Sequence, residues 1–165
     1  MVTVAVTVIL LAVAVPNYIN FMRANKLSTN VNSFVQALQF ARLEARGRGA
    51  TLCASADQQT CNSTDWRDGW IIFSDFNVDG VPNGNDEILR VVEALPAGIT
   101  IKVTASGLAA PALLKFGGQG FEFPAGATHT FEFCIGRDGK GAGRKVTVNL
   151  AGSSKTEPLD TCSAT

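Results

Sequence analysis

The first fifteen residues of the chain are almost uniformly apolar. Their sequence, MVTVAVTVILLAVAV, contains no charged residue and only two threonines, and Pro16 follows directly. A helix of this length spans about 22 Å, short of the roughly 30 Å hydrocarbon core of a bilayer. A cleavable secretory signal would carry a basic region in front, and a core helix would have a polar face, so both alternatives fit less well. We therefore predict a membrane-inserting helix whose first residues lie upstream of this sequence.

The residues assigned to this membrane and assembly segment are Val2, Val4, Val8, Ile9, Leu10, Leu11, Val13, Val15 and Pro16. A second helical pattern follows them, with apolar side chains at alternating spacings of four and three residues, which predicts an amphipathic stripe. The stripe comprises Leu27, Val31, Phe34, Leu38, Ala41 and Ala45. Gly47 and Gly49 are expected to end the helix. Together the two patterns predict one rod of about 47 residues that Pro16 kinks or loosens.

Beyond residue 49, short apolar runs alternate with clusters of Gly, Pro and Asn, which is typical of antiparallel sheets. Trp70–Phe73 is apolar throughout and predicts a central strand, whereas Phe131–Phe133 alternates with Glu132 and predicts a strand with one wet face. The predicted strands are Thr51–Ala54, Trp70–Ser74, Ile88–Glu93, Ile99–Thr104, Leu113–Phe116, Phe121–Phe123, Thr130–Ile135 and Lys145–Leu150. The predicted fold class is α+β: a long N-terminal helix packed on an antiparallel head, with a second small sheet allowed behind the first.

The composition suits one domain with one appended element. The chain has 165 residues, and its 46% hydrophobic content is concentrated at the N-terminus. We divide it into a membrane or filament-core half of the helix at 1–22, an amphipathic half at 23–48 and a β-rich head at 49–165.

Four cysteines occur, none of them in a C-x-x-C pair, and the chain has one histidine, so the spacing of a zinc site is missing. An even number behind an apolar N-terminal segment predicts two disulfides in an oxidising compartment. Of the three possible connectivities we favour Cys53–Cys61 with Cys134–Cys162, because each bridge joins neighbours in chain order. Four reduced, buried thiols are the alternative.

The N-terminal run resembles the helix of type IV pilins. In that family a leader ending in Gly precedes a short Phe-Thr-Leu-Ile-Glu-Leu-like stretch, which leads into an apolar run and its Pro, as in MVTVAVTVILLAVAVPNY here. The cleavage-site Gly and the family's Glu are absent from this sequence. We therefore expect it to begin inside the mature helix.

The head resembles minor pilins and pseudopilins of the GspH, FimT and FimU type over nearly the whole chain. The matching features are Trp66–Phe73, Asp75–Gly80, Glu87–Arg90, the strand ending at Cys134, and Arg144–Val148. The resemblance implies a pilin-like fold and a minor pilin in the tip or initiation complex of a type IV pilus, supporting pilus assembly, twitching and adhesion. A minor pseudopilin of a type II secretion system is the alternative, and the loop closed by Cys134 and Cys162 slightly favours the pilus.

The resemblance also implies partners and a location. We expect the chain to assemble with other major and minor pilins or pseudopilins, after processing by the prepilin peptidase and N-terminal methylation. Before assembly its helix would lie in the inner membrane with the head in the periplasm, and afterwards in an extracellular pilus or a periplasmic pseudopilus. No cofactor is expected.

No pattern in the sequence indicates catalysis. His129 is the only histidine and follows the turn-like stretch Gly126–Thr128, so we predict a surface histidine rather than an acid–base catalyst. No G-x-S-x-G occurs, and the aspartates lie in polar, turn-rich sequence. We expect no enzyme.

The polar stretch after Trp70–Ser74 carries a weak calcium pattern. Asp75, Asn77 and Asp79 alternate, and Asp86 stands where an EF-hand-like loop has its last ligand. That ligand would be shorter than the usual Glu, and Pro82–Gly84 forms an ordinary turn sequence. We interpret the stretch as a solvated connecting loop, with calcium binding as the alternative.

Basic residues cluster late in the chain, where flexible cationic loops can bind phosphates without reading sequence. They are Arg137, Lys140, Arg144, Lys145 and Lys155. Some FimT-like relatives that take up DNA carry a C-terminal Gly-Arg-x-Arg element, where this chain has Gly152–Lys155 instead. The charge is also balanced, with 14 Lys and Arg against 14 Asp and Glu. DNA is therefore not expected as a partner, and DNA uptake stands as a second alternative.

Overall fold

The computed structural model describes residues 2–106, 112–118, 122–123, 128–136, 142–159 and 161–162, and of residues 2, 4–9, 13, 122, 123 and 142 only the backbone. Its first element is one helix, α1, at Val2–Glu44, which continues unbroken through Pro16. The predicted stop is close to the observed end, since Gly47 adopts a φ of +109° three residues later. Here the chain turns towards the head, and Gly47 N donates to Gly118 O at 3.0 Å.

The head consists of two antiparallel sheets. The first contains β1 (Ala50–Ala54), β2 (Trp70–Ser74), β3 (Ile88–Val92), β5 (Leu113–Phe116) and β6 (Glu122–Phe123) in the order β3-β2-β1-β5-β6. The second contains β4 (Ile99–Ala105), β7 (His129–Ile135), β8 (Ala142–Val148) and β9 (Ser154–Leu159) in the order β4-β7-β8-β9. A short 3-10 helix at Trp66–Asp68 precedes β2. The predicted α+β class is confirmed.

The second sheet is larger than the sequence indicates, because β9 was not predicted. Pro158 and the charged Lys155 and Glu157 lie within this strand, and such residues mask a strand pattern. The topology explains how they are tolerated, since β9 forms an edge and pairs only with β8. The predicted strand Lys145–Leu150 was placed two or three residues too late. The observed strand β8 begins at Ala142 and ends at Val148, before the turn at Asn149. Phe121 lies outside the described residues.

The helix and both sheets share one core. All six residues of the predicted amphipathic stripe are buried in it. Phe34 lies at its centre, with ring centroids 5.2 Å from Trp70 of the first sheet and 4.7 Å from Phe131 of the second. It also packs on Trp66 and Phe133 at 5.7 and 5.3 Å. One helix face therefore joins the two sheets.

The first sheet is also buried on the face that points away from α1. Ile71, Phe73 and Cys53 form a second buried cluster there, with Cys61 and Leu113 packed against it. Strand β2 is accordingly buried at every position, as its uniformly apolar sequence predicts. It has neighbours on both sides, although β1 rather than β2 is the middle strand.

Both predicted disulfides are confirmed. Cys53 bonds to Cys61 across 8 residues and Cys134 to Cys162 across 28, and the described cysteines include no free thiol. The second bridge ties the segment after β9 back to β7 and passes over Gly143. A Cβ at Gly143 would lie 2.6 Å from Cys162 Sγ, so only glycine fits beneath the bridge.

Phe34→Ala is expected to lower the free energy of unfolding by about 3–5 kcal/mol, because it leaves a cavity where both sheets meet α1. Phe21→Ala is the matched control: Phe21 stands on the same helix but is 60% exposed, so its loss should change the stability of the head by less than about 0.5 kcal/mol. Denaturant titration followed by near-UV circular dichroism measures both. Equal stability of the two variants would contradict the central position of Phe34.

Removal of the Cys134–Cys162 bridge is expected to destabilise the head more than removal of Cys53–Cys61. The longer bridge closes 28 residues and the shorter one 8, and chain entropy then favours the longer by about 1 kcal/mol. Paired Cys→Ser variants, compared by denaturant unfolding, test this. The prediction is wrong if the variant without Cys53–Cys61 is the less stable, and reduction of both bridges should lower the melting temperature further.

Candidate assembly surface and Asp75 loop

Between residues 10 and 22, α1 exposes large apolar side chains. The described ones are Leu10, Leu11, Val15, Tyr18, Ile19, Phe21 and Met22, each at least 43% exposed. At 100° per residue these positions fall within about half of the helix circumference, a wider band than the buried stripe that begins at Leu27. We call residues 10–22 the assembly segment. A soluble head has no use for so much exposed apolar surface, which marks sites of contact with other molecules.

No helix in the described part of the chain is long and apolar enough to cross a membrane. Of the segment predicted to insert, the side chains of Val2, Val4, Val8, Ile9 and Val13 are not described. The prediction of a membrane half at 1–22 therefore stays a prediction.

The assembly segment ends where α1 meets the head. A cleft there, of about 250 Å³, is lined by Arg23, Lys26, Ala97, Gly98, Ile135 and Gly136. Lys26 Nζ donates to Ala97 O at 3.5 Å, a weak contact between helix and head. Two cations thus follow the apolar segment directly.

The Asp75 loop, residues 75–87, joins β2 to β3. Asp75 is fully buried, contrary to the prediction of a solvated loop residue. Its Oδ2 accepts from Thr51 Oγ1 at 2.6 Å and from Gly80 N at 2.9 Å, and its Oδ1 accepts from Asp79 N at 3.0 Å. Its own N–H donates to Gly49 O at 2.9 Å. Because each carboxylate oxygen receives hydrogen bonds from the protein, burial of Asp75 is compensated.

The other three calcium candidates also accept or donate hydrogen bonds inside the loop. Asp79 Oδ1 accepts from Val81 N at 2.7 Å and its Oδ2 from Asn77 Nδ2 at 2.7 Å, while Asp86 Oδ2 accepts from Asn83 N at 3.1 Å. The Val81 N–H and the Asn83 amide hold the pKa of the Asp79 carboxyl below its ordinary value.

Among the described residues no group of three or more His, Cys, Asp or Glu side chains is placed to hold a metal ion. Protein donors take up the oxygens that a calcium ion would need. Calcium binding by Asp75, Asn77, Asp79 and Asp86 was the alternative to a connecting loop without metal, and it stays an untested alternative.

The basic residues of the late cluster do not share one surface in the part that the structure describes. Lys145 and Lys155 lie on the outward face and pair with Glu157, at 3.3 and 2.7 Å. The two lysines lower the pKa of Glu157, Lys155 more strongly. Arg144 and the buried Val146 are two residues apart on β8 and therefore share a face of the strand. Arg144 thus lies on the opposite face from Lys145. Arg137 and Lys140 lie outside the described residues.

His129 is buried, at 7% exposed, so the prediction of a surface histidine was wrong. It begins β7, opposite Val148 of β8 and Ala105 of β4, on the face that also carries Phe131 and Phe133. The turn-like sequence before it concealed the alternation that directs it inwards.

The Trp66–Phe73 motif has a structural role. Asp65 caps the 3-10 helix by accepting from Arg67 N at 2.9 Å, and Arg67 Nε donates to Asp65 Oδ2 at 2.7 Å, which holds the pKa of Asp65 below its ordinary value. Gly69 adopts a φ of +99°, and a Cβ there would lie 2.4 Å from Val92 O. The motif thus directs both tryptophans into the core.

Sequence reasoning missed Lys115, whose Nζ donates to Val78 O at 3.1 Å and to Asp79 O at 2.8 Å. It stands 36 residues after Asp79 in the chain, and only the pairing of β5 with β1 brings it to the loop. No local sequence signal could have found this contact.

Two comparisons relate the chain to known proteins, and a third finds no match. The family model described as "Type II transport protein GspH" matches residues 30–152. Two structures of the minor pseudopilin EpsH from the type II secretion system of Vibrio cholerae share the fold, at TM-scores of 0.54 and 0.53 and identities of 15% and 14%. Each alignment covers 81% of this chain and 97% of the EpsH chain. No curated protein matches.

The family match spans the end of α1, strands β1–β8 and the Asp75 loop, well over half of the chain. The long helix, the antiparallel head and the EpsH-like topology agree with it. The chain belongs to the GspH family of type II transport proteins.

Proposed function

We propose that this protein is a minor pseudopilin of a type II secretion system. The observation that carries the proposal is the combination of a GspH-type head with a helix that exposes large apolar side chains between residues 10 and 22. The family match and the likeness to EpsH favour this function over the type IV pilus subunit that the sequence first indicated. The helix serves both machines alike, so its pattern could not discriminate between them.

The assembly segment would supply the cohesion of the filament. Each large apolar side chain that moves from water to a packed contact gains about 1.5–3 kcal/mol. Residues 10–22 carry seven such exposed side chains across about half of the helix circumference, which suits packing on neighbouring helices. Other pseudopilins are therefore the proposed partners, with the head left free for lateral contacts.

Membrane insertion and processing precede this assembly in our proposal. The helix would lie in the inner membrane, be processed by the prepilin peptidase and then enter a periplasmic pseudopilus. The two disulfides support a periplasmic head, because such bridges form and persist in oxidising compartments. The role is structural, since the described residues supply packing surfaces and a hydrogen-bonded loop rather than an acid–base pair in a cleft.

Leu11→Asp is expected to abolish complementation of a deletion strain, because a charge on the assembly segment costs about 2.5–3.5 kcal/mol in an apolar environment. Leu150→Asp is the matched control: Leu150 is 51% exposed on a turn of the head, against 55% for Leu11. Release of secreted enzymes into the medium is measured, with immunoblots to verify equal protein levels. Normal secretion with Leu11→Asp would contradict the proposed packing role.

The phenotype of the deletion strain distinguishes a role in type II secretion from a role in a type IV pilus. Loss of exoprotein release with intact twitching motility would support the type II secretion proposal. Loss of twitching with normal secretion would instead point to the pilus.

We expect no binding of DNA. Lys145 and Lys155 already share Glu157, and Arg144 stands on the other face of β8, which leaves a dispersed positive charge. A gel-shift assay at low salt with the full chain in detergent should show no retardation at about 30 μM protein. Retardation that falls steeply with added salt would revive the DNA-uptake alternative.

A further inference from the structure

Lys115 reaches from β5 into the Asp75 loop across the outer face of the first sheet. It pairs in register with Thr51 of β1, whose hydroxyl donates to Asp75. Its ammonium donates to Val78 O at 3.1 Å and to Asp79 O at 2.8 Å. Two neighbouring strands therefore hold the loop, one through a hydroxyl and the other through a positive charge.

The loop backbone is fitted closely to the lysine stem. A Cβ at Gly80 would lie 2.7 Å from Lys115 Cε and 3.0 Å from its Nζ, so the loop passes directly over the side chain. Gly80 also adopts a φ of +84°, which disfavours any other residue there. The contact is thus a packed one and not an incidental surface approach.

Val78, between these contacts, has an unfavourable backbone conformation. Its φ is +55°, which is rare for a β-branched residue and persists only where the surroundings fix it. Two hydrogen bonds fix Val78: its N–H donates to Asp75 O at 3.3 Å, and its carbonyl accepts from Lys115 Nζ. The Lys115 ammonium therefore helps to hold Val78 in this strained backbone conformation.

The loop also carries the negative charges of Asp75 and Asp79 close to Lys115. Asp75 is buried, and Asp79 stands beside the carbonyls that Lys115 binds. In a calcium loop a divalent ion would gather carboxylates and carbonyls of this kind. Here a positive charge already stands among them, and it is covalently part of the chain.

We propose that Lys115 is a built-in cation that holds the Asp75 loop in its shape without a bound metal. The proposal is independent of the assembly function, because it concerns the face of the first sheet that points away from α1.

Lys115→Met tests it, since methionine retains most of the apolar stem and removes the charge. In the full chain, kept in detergent micelles, we expect the melting temperature to fall by roughly 3–8 °C. Amide exchange of Asp79 and Gly80, whose N–H groups donate to Asp75, should become about tenfold faster or more. Exchange in the middle of β1 should change less. Lys102→Met, at an exposed lysine of β4, is the matched control and should change none of these.

The wild-type chain provides the second test. Its melting temperature should be the same, within about 1 °C, in millimolar Ca²⁺ and in EDTA. A calcium-dependent rise in the wild-type melting temperature would overturn the proposal and support the calcium site instead. Unchanged exchange of Asp79 and Gly80 in Lys115→Met would overturn it as well. Where that variant does not fold, the wild-type calcium comparison still decides.

Discussion

The packing of one helix face against two sheets at once is the constraint on which the head depends. Trp70 of the first sheet and Phe131 of the second are both buried in the core that α1 shares with the two sheets. Phe34 contacts both of these rings and thereby couples the two sheets. Before the head, the described large apolar side chains of residues 10–22 on the same helix are exposed. In the proposed assembly, successive turns of one element would thus carry the folding of the head and the association between chains.

The face of the first sheet opposite α1 is covered in a different way. It is covered by loops instead of by a helix, and these loops are fixed by a disulfide at Cys53 and by the buried carboxylate of Asp75. Polar and covalent contacts there supplement the small buried cluster of Ile71, Phe73 and Cys53. This explains why the family motif is rich in Asp and Gly although its tryptophans belong to the core.

Much of the fold could be predicted from the sequence, because it depends on a local period or on spacing along the chain. This holds for the helix, the core stripe, both disulfides and eight of the nine strands in the described part of the chain. The Leu27–Ala45 stripe is an example, since a helical repeat directs those side chains to one face whatever they later contact. What failed depended on contacts between distant segments. Asp75 is polar by local sequence, yet Thr51 and Gly80 make it a buried residue. Strand β9 forms despite Pro158 because it occupies an edge, and edge positions cannot be read from the residues themselves.

The order of strands in the two sheets has a consequence for a head whose strands become available in chain order. In the first sheet β2 joins β1, β3 joins β2, and β5 and β6 then extend the other side of β1. In the second sheet β7, β8 and β9 follow β4 one after another. Every strand is therefore added to a border that is still open when it arrives, and none has to be inserted between two partners already in place. The head can therefore be completed strand by strand in chain order, starting from α1.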